Sequence, residues 1–182
     1  MIKSLLATFL LITTLLLTGC ATPIAGLQGY TSGSQGYQFL YPKGWTQVDV
    51  KKVAGVDVVF HDLIETSENL SVIINPIPDN KTLTDLGTPS EVGYRLLKNN
   101  SLNPNLDKEV ELIRSESHQI DGQDYYILEY QVKLANGQER HNLASVTVNN
   151  HKLYSFNLST SQKRWTQIQE LFETIVDSFS VS

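Results

Sequence analysis

Three short stretches bring together side chains able to bind something. His61-Asp62, followed by Glu65 and Glu68, sets an imidazole among carboxylates near a strand end, a mixed nitrogen and oxygen donor set that takes a divalent ion weakly. Glu139-Arg140-His141 opens a strand-like segment, where His141 would ligate a metal or sit at an interface. Lys163-Arg164, directly before Trp165, offers two cations to an acidic partner. Each also has a plain reading: a solvated polar loop, an exposed strand start, and two solvated cations beside a core Trp. His118 and His151 lie next to turns and read as structural. Zinc wants three or four converging ligands, which the spacing does not supply, and the D-x-D-x-D-G run of a calcium loop is absent.

Catalytic arrangements with useful specificity are missing too. There is no H-E-x-x-H, P-loop, G-x-G-x-x-G, C-x-x-C or nucleophile elbow; Gly29-Tyr30-Thr31-Ser32-Gly33 comes nearest to the last, with its Ser at the wrong position. No enzymatic activity is expected.

Cys20 is the sole cysteine, so it has no intramolecular disulfide partner. Ahead of it, Met1-Ile2-Lys3 gives a positive start and Leu5 to Leu17 an apolar run of secretory length, too short to span a bilayer as a stable helix. Leu17-Thr18-Gly19-Cys20 then resembles the bacterial lipobox, in which the signal is cut just before a cysteine that carries lipid. The expected division is therefore a signal peptide at 1–19, a lipidated Cys20 with a flexible Gly/Ser/Thr-rich tether through 34, and one domain over 35–182. Such a tether spans roughly 20 Å. Two or more acyl chains would keep the domain at a membrane surface without a membrane-binding face of its own.

The charge fits that arrangement. The chain carries 14 Lys+Arg and 19 Asp+Glu, and removal of Lys3 with the signal leaves 13 against 19, a net −6. Anionic lipid and nucleic acid would both repel it, so no nucleic-acid partner is expected.

Elements that must position these residues follow from patterning. Tyr37, Phe39 and Tyr41 alternate as a strand ahead of a Pro42-Lys43-Gly44 turn; Val56, Val58 and Phe60 mark a second strand and Leu70 to Ile74 a third. Thr88-Pro89-Ser90-Glu91 is a capping box with Pro at the first helical position, so a helix is expected over 89–98 with Val92, Leu96 and Tyr94 toward the core. Four strands then run from Val110, Tyr125, Leu143 and Leu153, turned by Asp121-Gly122, Asn136-Gly137 and Asn149-Asn150. One of Tyr125 and Tyr126 should face outward. Trp165, Ile168, Phe172, Ile175 and Phe179, widened by Leu171 and Val176, predict a closing helix over 163–178. The fold class is α+β: an antiparallel sheet flanked by helices, forming a single domain expected to be monomeric.

GYQFLYPKGW at 36–45, NLSVIINPIPDNKTLTDLGTPSEVG at 69–93, DGQDYY at 121–126, RHNLASVTVNNHKLYSF at 140–156, KRW at 163–165 and the closing SFSVS together resemble the PsbP family of photosystem II extrinsic proteins and, with the lipobox, its cyanobacterial lipoprotein branch. The resemblance implies an α/β/α sandwich, a thylakoid lumenal location, no catalysis, and a role in assembly or stability through a photosystem II reaction-centre or assembly subcomplex. Plant members help retain calcium and chloride of the oxygen-evolving centre with an N-terminal extension that this chain replaces by a lipid tether. The family's metal site pairs a His with an Asp: the His matches His141, while Gln162 stands at the Asp position, so a site here would recruit another ligand such as Glu139. No cofactor is required on this reading. The alternative is a lipoprotein that carries or senses a divalent metal, Zn, Mn or Ca, with His141, Glu139, His61 and Asp62 as ligands.

Overall fold

The computed structural model describes residues 25–50, 55–77, 80–99 and 108–182. The expected signal peptide, Cys20 and residues 21–24 of the expected tether lie outside the described residues.

Among the described residues, ten strands and two α-helices follow in the order β1 (Leu27–Ser32), β2 (Tyr37–Pro42), β3 (Thr46–Val48), β4 (Val56–His61), β5 (Asn69–Pro76), α1 (Pro89–Asn99), β6 (Lys108–Ile120), β7 (Gln123–Leu134), β8 (Glu139–Asn149), β9 (Lys152–Ser161), α2 (Trp165–Asp177) and β10 (Ser180–Val181). Seven strands form one antiparallel sheet in the order β3-β4-β5-β9-β8-β7-β6, and β1-β2-β10 form a second. The meander β6 to β9 is a set of hairpins. Asp121-Gly122 closes the first with φ of 51° and 81°, the positive values a two-residue I′ turn requires. The last turn sits one residue later than the sequence suggests, on Asn150 and His151 at 47° and 59°.

The main sheet is covered on both faces, which makes the fold an α/β/α sandwich with an added small sheet. On one face α2 and the β1-β2-β10 sheet enclose Phe39, Phe60, Phe156, Phe172 and Phe179 with their neighbours. On the other, α1 and the 3-10 turn at Thr84–Leu86 cover Tyr126, Leu128, Val146 and Leu153. Double coverage explains why Tyr125 and Tyr126 are both 2% exposed, against the expectation that one would face solvent. Tyr94 and Leu171, assigned to the core from spacing, are exposed instead, since each helix needs only one stripe for its contact.

Part of the expected tether is structure. Residues 27–32 form β1, paired along β2, with Leu27 buried and Tyr30 stacked on Phe39 at 5.1 Å. The domain thus starts near residue 27 rather than 35, because two apolar side chains and a ready edge on β2 outweigh a Gly- and Ser-rich composition. No helix among the described residues is long and apolar enough to cross a membrane.

Candidate functional site

His141 sits on the α2 face of β8 at 2% exposure. Its Nδ1 is 2.9 Å from Gln162 Oε1 and its Nε2 is 2.8 Å from Glu129 Oε1, while Trp165 stacks on the ring at 3.9 Å and 12°. Strand register brings these groups together. Gln131 pairs with His141 across β7 and β8, so Glu129, two residues along β7, lies diagonally on the same face. β9 then ends at Ser161, and the 3-10 turn Gln162–Arg164 folds Gln162 and Trp165 over the imidazole.

Glu129 passes the charge onward. Its Oε2 accepts from Arg114 Nε at 3.0 Å, and Arg114 also contacts Glu116 at 3.0 Å and Glu173 at 3.6 Å. Burial lowers the Arg114 guanidinium, but the bonds it donates to Glu129 and Glu116 outweigh it and hold the group above its ordinary value. Sequence reasoning did not single out Glu129. The available signal was an acid inside the apolar run Tyr125 to Tyr130, facing Arg114 across the β6-β7 hairpin.

The other proposed ligands lie elsewhere. Glu139 is exposed at the start of β8 and makes no contact with His141 among the described residues. His61 Nδ1 lies 3.1 Å from the carbonyl of Asp62. Both Asp62 oxygens serve the loop between β4 and β5: Oδ1 accepts from Ile64 N at 2.7 Å and Glu65 N at 3.1 Å, and Oδ2 from Trp45 Nε1 at 3.1 Å. These bonds, the one from Ile64 foremost, keep the Asp62 carboxyl below the ordinary carboxylate range. Arg164 donates to Glu68 and lies 3.5 Å from Glu65, so it clamps this loop to the end of β9. The Glu68 bond, then its charge, raises Arg164 above its ordinary value. Lys163, by contrast, is exposed.

A divalent cation does not fit this donor set. Both imidazole nitrogens of His141 are already hydrogen-bonded, Gln162 contributes a neutral amide, and the indole of Trp165 covers the ring. Among the described residues, no three of His, Cys, Asp and Glu converge.

Beside the buried histidine is an open feature. Ser67, the hairpin Asn136 to Glu139, Arg140 and Gln162-Lys163 line a cleft of about 440 Å³ at the same end of the sheet. It joins the loop after β4, the turn after β9 and the β7-β8 hairpin, three segments distant in sequence.

The PsbP family model matches residues 25–181, from just before β1 to β10. The chain belongs to the PsbP family. Among curated PsbP relatives, CyanoP of Synechocystis sp. is 51% identical over 187 residues, with all of both chains covered. PsbP-like protein 1, chloroplastic, of Arabidopsis thaliana is 33% identical over 86% of this chain and 65% of its own. The solution structure of cyanobacterial PsbP from Synechocystis sp. PCC 6803 superposes with a TM-score of 0.76 at 53% identity, covering 91% of this chain and 99% of that one. The antiparallel sheet with its two helices is thus the PsbP-family fold.

Proposed function

We propose that the chain is a non-catalytic extrinsic protein of photosystem II, held on the lumenal side of the thylakoid membrane by a lipid on Cys20 and acting in assembly or stabilisation of the complex. The observation that carries this reading is PsbP-family membership across the whole domain, residues 25–181. Full-length similarity to a cyanobacterial relative supports it, because the lipobox segment lies within the aligned length. The net −6 left after loss of Lys3 would be repelled by anionic lipid, so the anchor rather than surface charge would supply attachment to the membrane. With β1 beginning at Leu27, only six residues separate Cys20 from the first strand. The domain would work within one diameter of the bilayer.

The test is a deletion strain combined with affinity capture of the lipidated protein from thylakoids. Enrichment of photosystem II reaction-centre or assembly subcomplexes, with slowed accumulation of the complex in the deletion, is the expected result. Capture of none of its subunits would reject the reading. Cys20→Ser should leave the folded domain intact but release it from the membrane fraction.

No feature of the His141 site favours the alternative of a divalent-metal carrier. Calorimetry with zinc, manganese and calcium checks it, and we expect no heat that His61→Ala and His141→Ala together abolish.

A further inference from the structure

Arg140 lies on the opposite face of β8 from His141 and is half-buried. Its Nε and Nη2 donate to Ser159 Oγ at 2.9 and 2.7 Å, and Nη2 also donates to the carbonyl of Ser67. Arg114 and Arg164 each hold carboxylates, whereas no acid pairs with Arg140 among the described residues. Burial accordingly pulls its guanidinium below the ordinary value. A cation desolvated without a counter-charge is costly, and an incoming anion would offset that cost. Serine and a carbonyl fix its orientation from one side, leaving Nη1 without a partner among the described residues.

Arg140 and Lys163 line the cleft with one acid, Glu139, in a chain whose net charge is −5. The loop that supplies Ser67 also displays Leu63 at 62% and Ile64 at 88% exposure, the two most exposed large apolar side chains among the described residues. That loop is held firmly, by the Asp62 carboxylate inside it and by Arg164 across its base. The start of the domain lies at this end as well: Lys43 N donates to Gly26 O, and Trp45, two residues on, donates to Asp62. A lipid attached upstream would therefore hold the cleft toward the membrane.

We infer that this end is a docking surface and that the cleft receives a carboxylate from a membrane-protein partner, an Asp or Glu side chain or a chain terminus, on Arg140 and Lys163, with apolar partner residues against Leu63 and Ile64. The inference rests on the photosystem-association reading for its partner but not for its chemistry. A carboxylate matches the planar fork of a guanidinium, and one acid flanked by apolar groups meets the two cations locally. An extended anionic lipid surface would instead meet the exposed Glu139 and the half-buried Glu65 of this end, together with the overall negative charge.

Two measurements on the mature lipidated protein test this. In the first, the peptide acetyl-Leu-Asp-Leu-amide is titrated while side-chain NMR signals of Arg140 and Lys163 are followed, with the Asn peptide as control. Shifts with the Asp peptide alone are expected; equal shifts with both, or none, overturn the carboxylate assignment. In the second, capture of photosystem subunits from thylakoids is compared across variants. Lys163→Glu, at an exposed position that should not disturb folding, is expected to weaken capture about fivefold, Ile64→Ser to weaken it, and Glu139→Gln to strengthen it about twofold. Arg140→Gln should abolish it, with circular dichroism confirming the fold. Undiminished capture by both Lys163→Glu and Arg140→Gln would overturn the docking surface while leaving the photosystem reading intact. Peptide shifts without any subunit captured from thylakoids would support the cleft and reject that reading. Binding of the unlipidated Cys20→Ser protein to phosphatidylglycerol vesicles that Lys163→Glu removes, with no peptide response, would reassign the cleft to lipid phosphate and overturn the inference.

Discussion

Three elements meet at one imidazole: β7 brings Glu129, the turn after β9 brings Gln162, and the start of α2 brings Trp165. His141→Ala would remove the stack and strip Glu129, itself 9% exposed, of one of its two partners. The expected loss is roughly 2–3 kcal/mol by denaturant unfolding, since a buried carboxylate left half-paired keeps most of its desolvation penalty. Glu129→Ala should cost a similar amount, and the two should couple by about 1 kcal/mol in a double-mutant cycle because they share one bond. Asp62 makes a pH-dependent contribution of definite sign. Its carboxyl is held below its unfolded value by the amides of Ile64 and Glu65, so the stabilisation is complete above the unfolded value near pH ~4 and fades as pH falls through the lowered one. In Asp62→Asn the amide still accepts from Ile64 but turns a donor toward Trp45 Nε1. The variant should lose on the order of 1 kcal/mol at pH 6, and the difference should shrink as pH falls through the lowered Asp62 value, read from urea midpoints on a descending pH series.

Helix α1 shows how local chemistry and close packing divide the work within an element. Thr88 N donates to Glu91 Oε2 at 2.8 Å and Glu91 N to Thr88 Oγ1 at 3.4 Å, the reciprocal bonds that the sequence TPSE announces. Gly87, at φ 120°, precedes them with the space that a Cβ would occupy only 2.9 Å from Glu91 Oε2. One turn on, Gly93 lets the helix approach the sheet: a Cβ there would lie 3.2 Å from Leu112 and 3.3 Å from Leu128. Thr88→Ala should cost about 1 kcal/mol, whereas Gly93→Val should cost about 2 kcal/mol by forcing α1 away from β6 and β7. Thermal melts of both variants check the order. The capping box, the hairpins and the main stripe of α2 were legible in the sequence because each depends on residues within a few positions of one another, although the last turn fell one residue later than expected and Leu171 left the stripe. β1 was not, since LQGYTS carries only Leu27 and Tyr30 as apolar signals and takes its hydrogen bonds from β2. The candidate site was half legible for the same reason: His141, Lys163 and Arg164 stood out by type, but the partners that decide their roles, Glu129 for His141 and Glu65 with Glu68 for Arg164, come from register and loop packing.

At the scale of the molecule, the small sheet ties both ends of the domain to one strand. β2 pairs with β1 on one side and β10 on the other, and Ser182 N donates to Gly36 O at 2.9 Å. The closing residues also plug the core, since Phe179 is 1% exposed, stacks on Phe156 at 4.9 Å and meets Tyr125 edge-on at 6.5 Å. Start and finish therefore sit at opposite ends of β2, with the incoming chain near the cleft and the C-terminus remote from it. A chain ending at Ser178 would leave a phenyl-sized hole between the two sheets and an unpaired edge on β2. The hole should cost more: deleting a buried Phe side chain typically costs about 3–5 kcal/mol, a large part of the roughly 5–15 kcal/mol that holds an ordinary domain. Losing two residues of pairing should add only about 1–2 kcal/mol, at about 1 kcal/mol for each net hydrogen bond. Phe179→Ala should accordingly account for most of the destabilisation of the truncated chain in urea unfolding. If the truncation instead unfolds the domain while Phe179→Ala leaves it near parental stability, the pairing of β10 with β2, and not the aromatic plug, is what closes the fold.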